Sequence, residues 1–112
     1  MPVNNEVILA YAFLGEMYRD DYFPDVLVDK GKAILLRLCA KIEQDTPADL
    51  DALYALTHAA TDEFNALAEE FYEHDSEIET AARDCIGTDF AFIASTYGFD
   101  ADIEELIATR DW

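Results

Sequence analysis

The stretch LDALYALTHAATDEFNALAEEFYEH, Leu50 to His74, decides the fold. Its positions Leu50, Leu53, Thr57, Ala60, Phe64, Leu67 and Phe71 step by alternating threes and fours. That spacing keeps one apolar seam on one side of an α-helix, as in helices that pack nearly antiparallel in a bundle. The opposite side is charged: Asp51, Asp62, Glu63, Glu69, Glu70 and Glu73. No strand accommodates this pattern, because a strand alternates with a period of two.

Working upstream, Thr46-Pro47-Ala48-Asp49 reads as a Thr46 N-cap with Pro47 at the first helical position. Before it, a helix is predicted from 24 or 25 to about 44, opened by Pro24. Leu27, Gly31, Ile34, Leu35, Leu38 and Ile42 form its inward stripe. Gly31 costs about 1 kcal/mol against alanine in a helix interior, so a close neighbouring helix is expected there. A first helix is predicted over about 5–19, apolar nearly all round through Val7, Ile8, Leu9, Tyr11, Phe13, Leu14 and Met17. Such a helix lies centrally in a bundle or beneath a second subunit.

Downstream, Ser76-Glu77-Ile78-Glu79 reads as a capping box that opens a helix to about 97, stopped by Gly98. Asp100 is expected to cap a short last helix through 109, burying Ile103, Leu106 and Ile107, with Trp112 packed back on the bundle or on a partner. The predicted fold is therefore all-α: one domain over 1–112, an up-and-down bundle of four longer helices plus a short C-terminal helix.

Charge bounds the function. Twenty-five Asp and Glu face seven Lys and Arg, a net of −18. Such a surface repels phosphate backbones and anionic membranes, so nucleic acid and membrane are not expected partners. A basic protein is the electrostatic complement. Negative charge that merely keeps the chain soluble, or an adaptation to high salt, stands beside that reading. Over half the residues are apolar, which excludes a disordered chain. Cys39 and Cys85 have no metal-ligand spacing and read as buried free thiols suited to a reducing cytoplasm. The start lacks the positive region of a signal peptide, and the longest apolar run, Val7 to Leu14, is too short to cross a bilayer. A cytoplasmic location is expected.

The strings MYRDDYFP at 17–24, LYALTHAAT at 53–61, SEIET at 76–80, YGFD at 97–100 and the end RDW at 110–112 resemble a family of small acidic bacterial proteins of unknown function. The resemblance covers most of the chain. It implies a small helical domain and carries over no catalytic residue, cofactor or activity.

Two constellations remain as candidate sites. Asp20, Asp21 and Asp25 surround Tyr22 and Phe23. Aromatics ringed by carboxylates suit an epitope for a basic partner, in the manner of an inhibitor or an immunity protein. The same residues also suit a polar turn whose aromatics plug the bundle end. His58 shares a helix edge with Asp62, Asn65 and Glu69. A histidine and two carboxylates on one face could hold a metal or small ligand, or do acid–base work. A histidine hydrogen-bonded within the bundle is the plainer reading, since no Glu-x-x-His motif accompanies it. His74 reads as a helix-terminus residue. No phosphate loop, nucleophile motif or assignable Cys–His pair occurs, so no catalytic residue and no cofactor are predicted. The favoured expectation is a non-enzymatic interaction module. A ligand- or metal-binding protein centred on His58, and a homodimeric accessory protein, are the alternatives.

Overall fold

The seam of the long central helix organises the bundle. In the computed structural model, which describes residues 3–112, helix α4 (Leu50–Glu73) buries Leu53, Thr57, Ala60, Phe64, Leu67 and Phe71. Only the first seam position, Leu50, remains exposed. Helix α3 (Asp25–Asp45) packs along α4 and shares its largest interface. Every residue of its predicted inward stripe is buried. A Cβ at Gly31 would meet Leu14 Cδ1 at 2.9 Å and Phe64 Cε1 at 3.1 Å, so the close approach is real. Helix α5 (Thr80–Thr96) completes the core with Ala82, Ile86, Phe90 and Ile93. The short C-terminal helix α6 (Ile103–Leu106) lies against α4 and α5. Leu106 and Ile107 are buried there, while Ile103 stays partly outside. The architecture is all-helical with a short last helix, as the spacing predicts.

The largest departure is at the start of the chain. The single helix predicted over 5–19 is two short ones, α1 (Glu6–Ala10) and α2 (Gly15–Tyr18). Tyr11 is extended and Leu14 is left-handed at φ 57°. A continuous helix would spread those seven apolar residues around its whole circumference, and an outer helix has only one side facing the core. The break turns Ile8, Phe13, Leu14 and Met17 inward and leaves Val7 and Leu9 56% and 61% exposed. The segment is therefore not a central helix of the bundle.

Two caps also differ from expectation. Thr46 does not open α4; it closes α3 with left-handed geometry at φ 42°, and its N–H bonds to the Ile42 carbonyl at 2.9 Å. A residue before proline is disfavoured in the right-handed helical region. Asp49 caps α4 instead, accepting Ala52 N–H at 2.9 Å. Ser76 does not open α5. Its N–H reaches back to Phe71 O at 2.9 Å, and Asp75 N–H to Tyr72 O at 3.2 Å. With Asp75 at φ 59°, this is a Schellman ending for α4. Glu79 is then the cap of α5, accepting Ala82 N–H at 3.2 Å. The predicted stop at Gly98 holds: φ is 88°, and Phe99 N–H bonds to Ala94 O at 2.8 Å in the same motif. The last helix is capped by Asp102, not Asp100. No helix among the described residues is long and apolar enough to cross a membrane.

Candidate functional site

The aspartate–aromatic cluster sits in the turn between α2 and α3. Asp20 accepts Tyr22 N–H on its side chain at 2.9 Å and Phe23 N–H on its carbonyl at 3.1 Å. The turn buries one of the two aromatics and leaves the other partly exposed. Phe23 is 3% exposed and meets Phe71 edge to face at 6.2 Å, closing the end of the α3–α4 pair. Tyr22 is 43% exposed, with its ring 5.1 Å from that of Phe23. Asp20, Asp21 and Asp25 are all exposed. Phe23 thus plugs the core, while Tyr22 and the three carboxylates form the surface. Arg19, the adjacent cation in sequence, turns away to Glu16 at 2.9 Å.

The His58 face does something else. The imidazole Nε2 donates to the Glu105 carbonyl at 2.7 Å, and the ring stacks on Tyr54 at 5.9 Å. Three residues on, Thr61 Oγ1 lies 3.4 Å from Leu106 O. Asn65 donates to Thr109 O at 3.0 Å and accepts Asp111 N–H at 3.0 Å. This edge of α4 is a clasp for the C-terminal segment, satisfying carbonyls that a four-residue helix leaves open. Asp62 and Glu69 remain exposed beside it. His58, Asp62 and Glu69 are not gathered into a ligand set, and among the described residues no three His, Cys, Asp or Glu side chains are. Trp112 does pack back: its ring lies 6.1 Å from that of Phe64, and its carbonyl accepts from Arg83 Nε at 3.2 Å. His74 donates through Nδ1 to Glu70 O at 2.9 Å, as expected of a helix-terminus residue.

A third site lies outside both candidate constellations. Asp89, on α5, is only 4% exposed. One carboxylate oxygen accepts the Tyr11 hydroxyl at 2.8 Å; the other accepts the Leu14 backbone N–H at 2.7 Å. Tyr11 also stacks on Phe92 at 3.8 Å. Burial pushes the Asp89 carboxyl above its usual range, only partly countered by the two hydrogen bonds. Tyr11 is pushed up to about 12 by burial and by the bond to Asp89. Beside them the Cys85 thiol is raised by burial and by the Asp89 charge. Cys39, fully buried, is pushed up to about 12 by burial. Both thiols are therefore protonated near neutral pH and poor nucleophiles. A second buried-end carboxylate, Glu43 on α3, accepts the Asn4 N–H at 2.8 Å, the Asn5 N–H at 3.3 Å and the Tyr97 hydroxyl.

Asp89 stands three residues after Ile86 and four before Ile93, on the inward stripe of α5, so the signal for it in the sequence is a carboxylate among apolar positions. No curated protein and no solved structure matches the chain. Residues 7–112 match the model of a family of unknown function (DUF5713), spanning the seam, the Asp89 contacts and the C-terminal clasp, and the chain belongs to that family.

Proposed function

We propose that this protein is a non-enzymatic interaction module that holds a basic partner protein at the acidic end of the α3–α4 pair. The observation that carries the reading is the half-exposed Tyr22 standing among Asp20, Asp21 and Asp25, with no cation bonded to those carboxylates among the described residues. Most of the protein's own cations are used elsewhere. Of seven Lys and Arg, five pair with its own carboxylates: Arg19, Lys30, Arg37, Lys41 and Arg110. Arg83 is committed to the Trp112 carbonyl. Self-pairing leaves a strongly negative outer field, which speeds encounter with a positive surface and falls with salt. An amphipathic tyrosine at the centre supplies apolar contact at little entropic cost. Protonated thiols and an imidazole tied to a carbonyl fit binding better than catalysis.

The test is affinity capture with wild-type bait and with a variant combining Asp20→Asn, Asp21→Asn, Asp25→Asn and Tyr22→Ala. The expected result is a basic protein retained by wild type at about 50 mM salt, lost at about 500 mM, and not retained by the variant. Retention that ignores salt, a captured partner that is acidic, or equal capture by the variant would defeat the proposal.

A further inference from the structure

A groove runs between the α1–α2 segment and α5, with a volume of about 710 Å³. Part of its surface is small or apolar: Ala10, Ala12, Gly15, Ala81, the Tyr11 ring and Cys85. No large aliphatic side chain among the described residues lines it. A concavity of this size takes several side chains of a ligand.

Its charge is one-sided. Glu16, Asp84 and Asp89 line it, and the one cation there among the described residues, Arg19, is already paired with Glu16. Asp89 is the unusual member. It is a nearly fully buried carboxylate with no counter-cation among the described residues. Tyr11 and Leu14 occupy one lone pair on each oxygen, and a carboxylate has room for about four donors in all. An ionised carboxylate removed from water without a cation carries an uncompensated cost, which an arriving ammonium or guanidinium would offset.

We propose that this groove docks a short segment of a partner protein in which a leucine-like side chain lies next to a lysine or arginine. The apolar side chain fills the space over Ala12 and Ala81, and the cation meets Asp84 and Asp89. The groove uses different residues from the Tyr22 end, so it adds a second contact to a basic partner and does not restate the first.

The experiment uses three fluorescent peptides of about twelve residues with the intact protein: lysine with leucine, lysine with serine at equal charge, and glutamate with leucine. Anisotropy at about 50 mM salt should show the lysine–leucine peptide binding at least about tenfold tighter than either other peptide, the difference expected for burying a leucine. Ala81→Trp, at an exposed helix position, fills the groove and should weaken that peptide by about tenfold. Asp89→Asn keeps the local bonds, removes the charge and should weaken it comparably. Asparagine replacements at Asp20, Asp21 and Asp25 should leave the ratio between the two lysine peptides unchanged. Equal binding of both lysine peptides overturns the groove while leaving the Tyr22 reading standing. Unchanged affinity in folded Ala81→Trp also overturns it. So does a wild-type dimer in sedimentation that Ala81→Trp converts to monomer, because the occupant would then be a second copy.

Discussion

Replacing Asp89 by alanine and by asparagine should separate what its shape does from what its charge does. Alanine strands Leu14 N–H in the core and deprives the Tyr11 hydroxyl of its partner. An unsatisfied buried donor costs about 1–3 kcal/mol. Leu14 also holds a left-handed φ of 57°, a conformation worth about 1–2 kcal/mol against a non-glycine residue, which the 2.7 Å bond helps to fix. Loss of the buried charge returns part of this. The net expectation for Asp89→Ala is about 2–4 kcal/mol of destabilisation. Asparagine behaves differently. Its amide oxygen can accept Leu14 N–H, and its amide N–H can donate to the Tyr11 oxygen once that hydroxyl rotates. Asp89→Asn should therefore fall within about 1 kcal/mol of wild type at neutral pH. Because burial raises the folded-state pKa of Asp89 above its ordinary 3.8, the folded protein binds the extra proton in that window. Its contribution to stability falls as pH rises through the folded value, so asparagine should gain on wild type as pH rises from the ordinary 3.8 through that value. Urea unfolding followed by circular dichroism at several pH values measures both effects. Asparagine as damaging as alanine, or alanine within about 0.5 kcal/mol of wild type, would refute the account of Asp89 as the residue that fixes the break between α1 and α2.

Two further outcomes follow from the caps and carboxylates. Ser76 is 3% exposed, with a hydroxyl that has no partner among the described residues, so Ser76→Ala should be neutral or stabilising by up to about 1 kcal/mol. Glu79→Ala should cost about 0.5–1 kcal/mol through its lost bond to Ala82 N–H, and thermal melts of the pair would distinguish this from a Ser76 cap. Burial raises Glu43, but the Tyr97 hydroxyl and the Asn4 and Asn5 N–H groups outweigh it and hold the carboxyl below its ordinary 4.5. That stabilisation is present above 4.5 and lost as pH falls through the folded value, opposite in sign to Asp89. Glu43→Gln should therefore destabilise at neutral pH, with a penalty that shrinks on acidification, as urea midpoints across pH would show.

The candidate sites were legible to different depths. Asp20, Asp21, Tyr22 and Asp25 could be placed at a bundle end from Pro24 and the charge pattern, because that turn is a local structure. That Phe23 faces inward depended on Phe71, nearly fifty positions away. His58 looked available because its own helix gives it no partner. The carbonyl it bonds belongs to Glu105, which only the folded chain brings within 2.7 Å.

Sequence alone determined the all-helical class, the burial of the seam from Leu53 onward, the close approach at Gly31 and the stop at Gly98. These follow from periodicity and from glycine geometry, which act over one or two turns of chain. Tertiary structure alone decided the break at residues 11–14 and the docking of the C-terminal segment on His58 and Asn65. In each, several local choices lie within about 1–2 kcal/mol of one another. A distant partner then selects one: the Asp89 carboxylate for Leu14, the Glu105 carbonyl for His58. Backbone groups removed from water must find partners, and which partner is near is a property of the packed bundle.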